Sequence, residues 1–256
     1  MAVYTTEITS DQITSDNPIH QRLLQAYHLA KPYIKGDLLE LGCGEGRGIG
    51  VIGPLADSYS AIDKIKPIVE HLATQYPDYE FIDGHFPPMP YEDNRFDTIV
   101  TFQVIEHIQN DQLFLKEIHR ILKPGGKALI TTPNIKMTLT RNPWHIREYT
   151  ADELNGHCKR YFEHVEMKGV AGNEKVMIYY ERNKASVEKI TRFDILNLQY
   201  RLPASLLRVP YDLLNRFNRK SLQKEADDLV KSIEHDDYLL TDQSDQNLDL
   251  FVVLTK

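Results

Sequence analysis

The chain has 256 residues, 41% of them hydrophobic and 26% charged, with a formal net charge of −7. That length can bury a large core, while the acidic balance argues against a general nucleic-acid binder, so no DNA partner is expected. The two cysteines, Cys43 and Cys158, give neither a disulfide framework nor a paired metal-ligand spacing, and the polar start with no apolar run near 18 residues makes a cytoplasmic protein the expectation.

Residues before about 15 read as loosely ordered. SDNPIHQRLLQAYHLAKPYI then predicts a helix, with Asn17 as N-cap and Pro18 at the first helical position. This gives an N-terminal helical segment over 1–35. DLLELGCG follows as a short buried strand ending in glycines. YSAID (59–63), YEFIDG (79–84), FDTIVTF (96–102) and KALITTPN (127–134) are further strands, and DQLFLKEIHRIL (111–122) is a helix stopped by Lys123-Pro124-Gly125-Gly126. Strands alternating with helices at this spacing imply a parallel sheet covered on both faces. Such sheets bind ligands beyond the carboxyl ends of their strands.

Thr150 and Glu153 stand in capping-box positions and predict a helix from TADELNGHC. FEHVEMKGV (162–170) and NLDLFVVLTK (247–256) read as the last two strands. Between them, over 173–238, a helical stretch broken by Pro203 and Pro210 reads as a cap inserted over one end of the sheet. From Lys175 to Lys224 it carries eleven Lys or Arg against four Asp or Glu, leaving +7 here and −14 elsewhere. One domain over 1–256 accounts for all of these elements.

The most informative stretch is LLELGCGEGRG (38–48). An acid, Glu40, ends an apolar strand, and Gly42, Gly44 and Gly46 alternate after it. Glycines at such a turn let the backbone approach a ligand and tolerate positive φ. Asp63 closes the next strand, 23 residues after Glu40, where a carboxylate grips ribose hydroxyls. Read from Gly42, the dinucleotide pattern G-x-G-x-x-G is not matched, since the third glycine comes at Gly46, two residues after Gly44. The compact spacing favours a nucleoside without a pyrophosphate.

These residues resemble the class I S-adenosylmethionine-dependent methyltransferases, of the broad quinone and small-molecule O-methyltransferase type. The resemblance spans 36–134. Glu40 to Gly46, with Cys43 filling the turn, is similar to the family's acid-x-G-x-G-x-G loop around the methionine half of the cofactor. Asp63 matches the ribose-holding acid, with Lys64 beside it. GHFPPMPYEDNRFDTIV, VIEHI (104–108) and RILKPGGKALITTPN (120–134) are also close to the family's form. The resemblance implies an α/β, Rossmann-like, doubly wound and mostly parallel seven-stranded sheet. It also implies S-adenosylmethionine as cofactor, with S-adenosylhomocysteine as product.

Two positions depart from the family pattern. His85 stands where an acid usually receives the adenine amino group. Either Asp83 substitutes, or Gly84, His85 and Phe86 supply backbone contacts and stacking. Some quinone O-methyltransferases bind a divalent ion with E-x-x-E-H, but here the stretch is Gln103-Val104-Ile105-Glu106-His107. Losing the first carboxylate removes a hard oxygen ligand, so no metal is expected. Gln103 and Val104 are then expected beside the methionine portion.

By the same resemblance, residues 135–160 form a lid loop and helix over the acceptor site. Methyl transfer from a sulfonium is an in-line displacement that needs alignment and exclusion of water. A hydroxyl acceptor also benefits from a histidine base. His145 is the first candidate and His107 the second, with His107 alternatively a strand-end hydrogen bonder. His20, Trp144, Arg147 and Tyr149 are expected near the acceptor, although Arg147 and Glu148 could simply pair with each other. NPWHIREYT and SDNPIHQRL show a looser resemblance to methyltransferases of bacterial glycan pathways.

The expected activity is therefore O-methylation of a small-molecule or glycan hydroxyl. A protein or RNA methyltransferase and a non-catalytic cofactor-binding protein are the alternatives. The basic cap is read first as a lid and homodimer contact with solvated charges, with a phosphate-bearing or lipid-linked acceptor or an anionic membrane surface as the alternative.

Overall fold

The computed structural model describes residues 13–194 and 196–256; the expected loose order before residue 15 falls largely outside them. The described chain forms β1 (Asp37–Leu41), β2 (Ser58–Asp63), β3 (Glu80–Asp83), β4 (Phe96–Phe102), β5 (Leu122–Pro133), β6 (His164–Gly172), β7 (Tyr238–Asp242) and β8 (Asp249–Thr255). The helices are α1 (Asn17–Ala30), α2 (Ile49–Ile52), α3 (Lys66–Gln75), α4 (Asp111–Ile121), α5 (Ala151–Cys158), α6 (Glu174–Thr191), α7 (Leu198–Arg201), α8 (Ala204–Glu225) and α9 (Asp227–Ser232).

All eight strands join one sheet in the order β3-β2-β1-β4-β5-β8-β6-β7. The pairs β3–β2, β2–β1, β1–β4 and β4–β5 are parallel, and the three pairs beyond β5 are antiparallel. The central strands are apolar on both faces, as a doubly covered sheet requires. Leu38, Val100 and Leu129 pack into one core with α1 and α2. Their neighbours Leu39, Ile99 and Ile130 pack into another with α4 and α5. The chain turns outward from β1 to β2 and β3, then returns to place β4 on the other side of β1. A crevice opens at that reversal.

The sheet has one strand more than the seven expected. β7 is a five-residue edge strand with mixed exposure, a pattern too short and too polar to separate from the preceding helices. The cap of α6 to α9 consequently lies between β6 and β7, not between the last two strands. The N-cap of α1 is Asp16 rather than Asn17. Two arginines, Arg216 and Arg219, engage the Asp16 carboxylate at 2.9 and 3.1 Å, while the Asn17 amide donates to the carbonyls of Val230 and Ile233. The capping box of Thr150 and Glu153 is formed as expected.

Candidate active site

The turn after β1 and the tips of β2 and β4 enclose a cleft of about 390 Å³, toward the small end of ligand-pocket sizes. Gly44 sits at its floor with φ +50°, and a Cβ built there meets nothing within 4 Å. Packing therefore does not demand a glycine here. Gly44 lines the cleft, and a glycine there lets backbone approach a ligand. Asp63 fixes the same turn. One carboxylate oxygen accepts from the Gly44 N–H at 2.9 Å and the other from Ile65 N–H at 3.0 Å. Each oxygen keeps a further acceptor site for a diol.

Glu40 has a different place. It is 1% exposed, and its two oxygens accept from the Tyr27 hydroxyl at 2.7 Å and from the Tyr59 hydroxyl. Burial holds its carboxyl above the ordinary range, against those two hydrogen bonds. Tyr27 also presents its ring edge to Phe102, 4.9 Å between centroids, and both rings line the cleft. Glu40 thus positions an aromatic wall.

At the tip of β4, Gln103 adopts φ +58°, a left-handed conformation that costs energy in a residue other than glycine. Its amide donates to Asp249 at 3.2 Å and to the Thr131 hydroxyl at 3.3 Å. Asp249, buried at the start of β8, also receives a forked pair of donors from Arg22 of α1. Helix α1, β4 and β8 are tied together at the back of the cleft by this ion pair and amide.

The next turn carries Glu106 and His107. Nδ1 of His107 lies 3.0 Å from the Trp144 carbonyl. A carbonyl only accepts, so Nδ1 carries the proton and Nε2 is left as a base. Burial, reinforced by His145, lowers the His107 pKa to about 4, so the ring is neutral at pH 7. His145 meets it edge to face, 4.9 Å between centroids. Both nitrogens of His145 are engaged, Nδ1 with Glu148 at 2.6 Å and Nε2 with the Asn142 amide at 2.8 Å. Beneath them, the Glu106 carboxyl accepts from Thr132 at 2.9 Å through one oxygen, and the other oxygen is buried without a partner. Burial, opposed by His145, raises its pKa to about 7.

Residues 39–130 match the family described as a methyltransferase domain. A probable S-adenosylmethionine-dependent methyltransferase of Mycolicibacterium smegmatis is 29% identical over 219 residues, 83% of this chain and 77% of that protein. One of Mycobacterium tuberculosis is 36% identical over 141 residues, 53% of this chain, and the match spans only half of that relative's length. Residues 39–130 thus carry a methyltransferase domain, and the chain is similar to S-adenosylmethionine-dependent methyltransferases over most of its length. The fold agrees: the structure of an S-adenosylmethionine-dependent methyltransferase from Thermotoga maritima superimposes with a TM-score of 0.59 at 15% identity, over 95% of this chain and 91% of that one.

The cleft of this methyltransferase is lined by Gly42, Cys43, Gly44, Asp63, Lys64, Gly84, His85, Phe86, Gln103, Val104 and His107 among the residues the sequence singled out. Open space at Gly44 and the paired acceptors of Asp63 fit a nucleoside such as S-adenosylmethionine. Of the two readings of the adenine side, the cleft contains His85 and Phe86, with Phe86 stacked on Phe114 at 5.8 Å, and Asp83 is not on its wall. Gly46 likewise faces inward, against Leu72 and Ile49. Cys43 is buried, and burial together with Glu40 and Asp63 pushes its thiol well above the ordinary value, so it fills the turn as a neutral side chain.

The remaining candidates stand behind or outside the cleft wall. Tyr149 is buried and donates to Asp111 at 2.9 Å. Arg147 pairs with the same Asp111 at 2.8 Å, rather than with Glu148, which is held by His145 and Thr138. Trp144 donates from its indole to Asp212 at 2.9 Å. His20, on the first turns of α1, is not on the cleft wall. The wall also includes Leu23, Tyr27, Arg47, Ile65, Ile108 and Gln109, which sequence reasoning missed. Arg47 and Ile65 each adjoin a motif residue by a position or two, and that adjacency is the signal that could have found them. Glu106, His107 and His145 offer three ligand atoms within 4.8 Å of one another. One carboxylate and two imidazoles suit zinc-like ions rather than Mg²⁺.

Proposed function

We propose that this methyltransferase acts on a hydroxyl oxygen of a small molecule or glycan, with His107 as the base. The observation that carries the reading is the fixed tautomer of His107: Nδ1 is spent on the Trp144 carbonyl, and Nε2 is a neutral acceptor on a residue of the cleft wall. S-adenosylmethionine, when bound, would supply an electrophilic methyl group on its sulfonium. Asp63 and the Gly44 turn hold the nucleoside in place. Nε2 of His107 takes the hydroxyl proton as the oxygen attacks. Residues 135–150 pack behind the turn that carries His107, with Ile146 and Arg147 N–H groups donating to the Glu106 carbonyl at 2.8 and 3.4 Å.

His145 acts through its neighbours, since Glu148 and Asn142 occupy both of its nitrogens. The test is a pair of substitutions read by cofactor calorimetry and by turnover on a panel of sugars and phenols. His107→Ala should bind S-adenosylhomocysteine normally and lose turnover. Full turnover in that variant on an acceptor the native chain methylates would remove His107 as the base. Methylation confined to amines would overturn the oxygen assignment.

A further inference from the structure

The cap turns an unusual face to solvent. Along α8, Leu206, Val209, Leu213 and Phe217 are 63–68% exposed, and their spacing of three, four and four residues places them on a single stripe. Phe193 and Tyr200, on the connection and short helix before α8, add aromatic rings that are 72% and 63% exposed. The opposite side of α8 is the packed one. There Asn218 and Leu222 are buried, and Asn218 binds Ser186 and Asn183 of α6 at 2.5 and 2.8 Å. The stripe is thus not a core face displaced outward, because α8 already has its core face. Apolar surface gathered in this way marks an interaction site.

Between residues 189 and 224 the exposed charges are all basic, with the exposed Glu188 and Glu225 just outside this span. Lys189, Arg192, Arg201, Arg208, Lys220 and Lys224 are exposed, and no carboxylate pairs with them among the described residues. The two acids within this stretch are engaged elsewhere. Asp194 accepts from the Leu198 and Gln199 N–H groups, and Asp212 accepts from the Trp144 indole. Arg216 and Arg219, turned toward the body, share the Asp16 carboxylate.

We infer that this face docks on an anionic lipid surface, with the leucine and aromatic stripe entering the interface and the surrounding arginines and lysines meeting phosphate headgroups. Such a combination of apolar stripe and basic rim is what an interfacial helix needs. The rest of the chain, at −14, is repelled by the same surface and orients the molecule cap-first. A symmetric contact with a second copy would press the face against itself and oppose like charges. The docking face is also joined to the catalytic layer. The Arg208 guanidinium lies 4.3 Å over the Trp144 ring, Arg141 donates to the Gln199 and Leu202 carbonyls, and the Trp144 carbonyl holds His107.

The test is co-sedimentation of the full chain with vesicles of equimolar phosphatidylglycerol and phosphatidylcholine, against vesicles of phosphatidylcholine alone. The expected result is binding to the anionic vesicles only, weakened roughly tenfold or more by L213S/F217S, and similarly by R201Q/K220Q or by added salt. Affinity for S-adenosylhomocysteine, measured in parallel, should be unchanged in both variants, which separates this surface from the methyl-transfer site and verifies folding. Equal partition onto both vesicle types, no partition onto either, or a double variant that binds like the native chain would overturn the proposal. So would a dimer in sedimentation velocity that L213S/F217S dissolves while the vesicles capture nothing.

Discussion

Strands β1 to β5 and the helical cap of residues 174–232 use apolar side chains in opposite ways. Leu38, Leu39, Ile99, Val100 and Ile130 are fully buried between two helical layers, whereas Leu206, Val209, Leu213 and Phe217 stand about two-thirds exposed. In the first region hydrophobicity builds a frame, and the frame fixes a few polar atoms at its strand tips. In the second it makes a surface. The cofactor side of the protein is therefore set by short-range motifs on rigid strands. The loop of residues 135–150 and the cap are instead tied to each other by polar contacts, among them the Trp144 indole donating to Asp212.

The sharpest test of that division is chemical. His107→Ala should lower kcat by about 10²–10⁴-fold with little change in cofactor affinity, measured by steady-state kinetics beside calorimetry. An equal loss in both would make His107 part of the frame instead. Asp249→Ala should destabilise the fold by about 2–4 kcal/mol, because it leaves Arg22 and Gln103 without their shared partner; urea unfolding reads this directly. Asp63→Ala should weaken S-adenosylhomocysteine binding by roughly 10–100-fold, in keeping with ~1.5–3 kcal/mol for hydrogen bonds to a charged group.

Smaller effects follow from the titrating pair at the base of the loop. As pH falls from 6.5 toward 4, the unfolded chain protonates His107 before the native chain does, so this group's contribution to stability declines. As pH rises from 4.5 toward 7, the native chain keeps a proton on Glu106 that the unfolded chain has lost, so that contribution declines in the other direction. The two slopes oppose each other across their overlap. Glu106→Gln removes the second, so stability relative to the native chain should rise with pH between about 4.5 and 7 by a few kcal/mol at most. Parallel stability profiles for the two proteins would show that Glu106 is not held protonated. The acid limb of kcat/KM should fall near pH 4 rather than 6.5 if His107 is the base. Smallest of all, Leu213→Ser on the cap should change Tm by no more than ~0.5 kcal/mol allows, whereas a large drop would mean that the stripe packs against the frame after all.

Much of the frame was legible because each of its elements carries a local signal. The run from Leu38 to Gly46 joins apolar strand, acid and glycines without a gap, and Phe96–Phe102 appears as a strand at the predicted limits. The same holds for Asp63 and His85, whose places at strand tips follow from where those strands stop. The four-helix cap was legible only as helical and basic. β7 escaped notice because a half-exposed edge strand of five residues has no periodicity of its own to distinguish it from the end of a helical stretch. Asn17 was displaced from its expected cap because carbonyls more than 200 residues away, at Val230 and Ile233, compete for its side chain.

The division between the two histidines has the same origin. By itself the sequence determined the fold class, the cofactor turn and the presence of two histidines able to act near it, because strand periodicity and glycine spacing are properties of neighbouring residues. Which histidine faces the cleft was decided by tertiary contacts: Glu148 and Asn142 consume both nitrogens of His145, and the Trp144 carbonyl frees Nε2 of His107. Glu40 was likewise turned from a ligand candidate into a support by two tyrosines from other elements. A hydrogen bond is satisfied by whichever partner the packed chain brings within about 3 Å, and sequence spacing alone does not fix that partner.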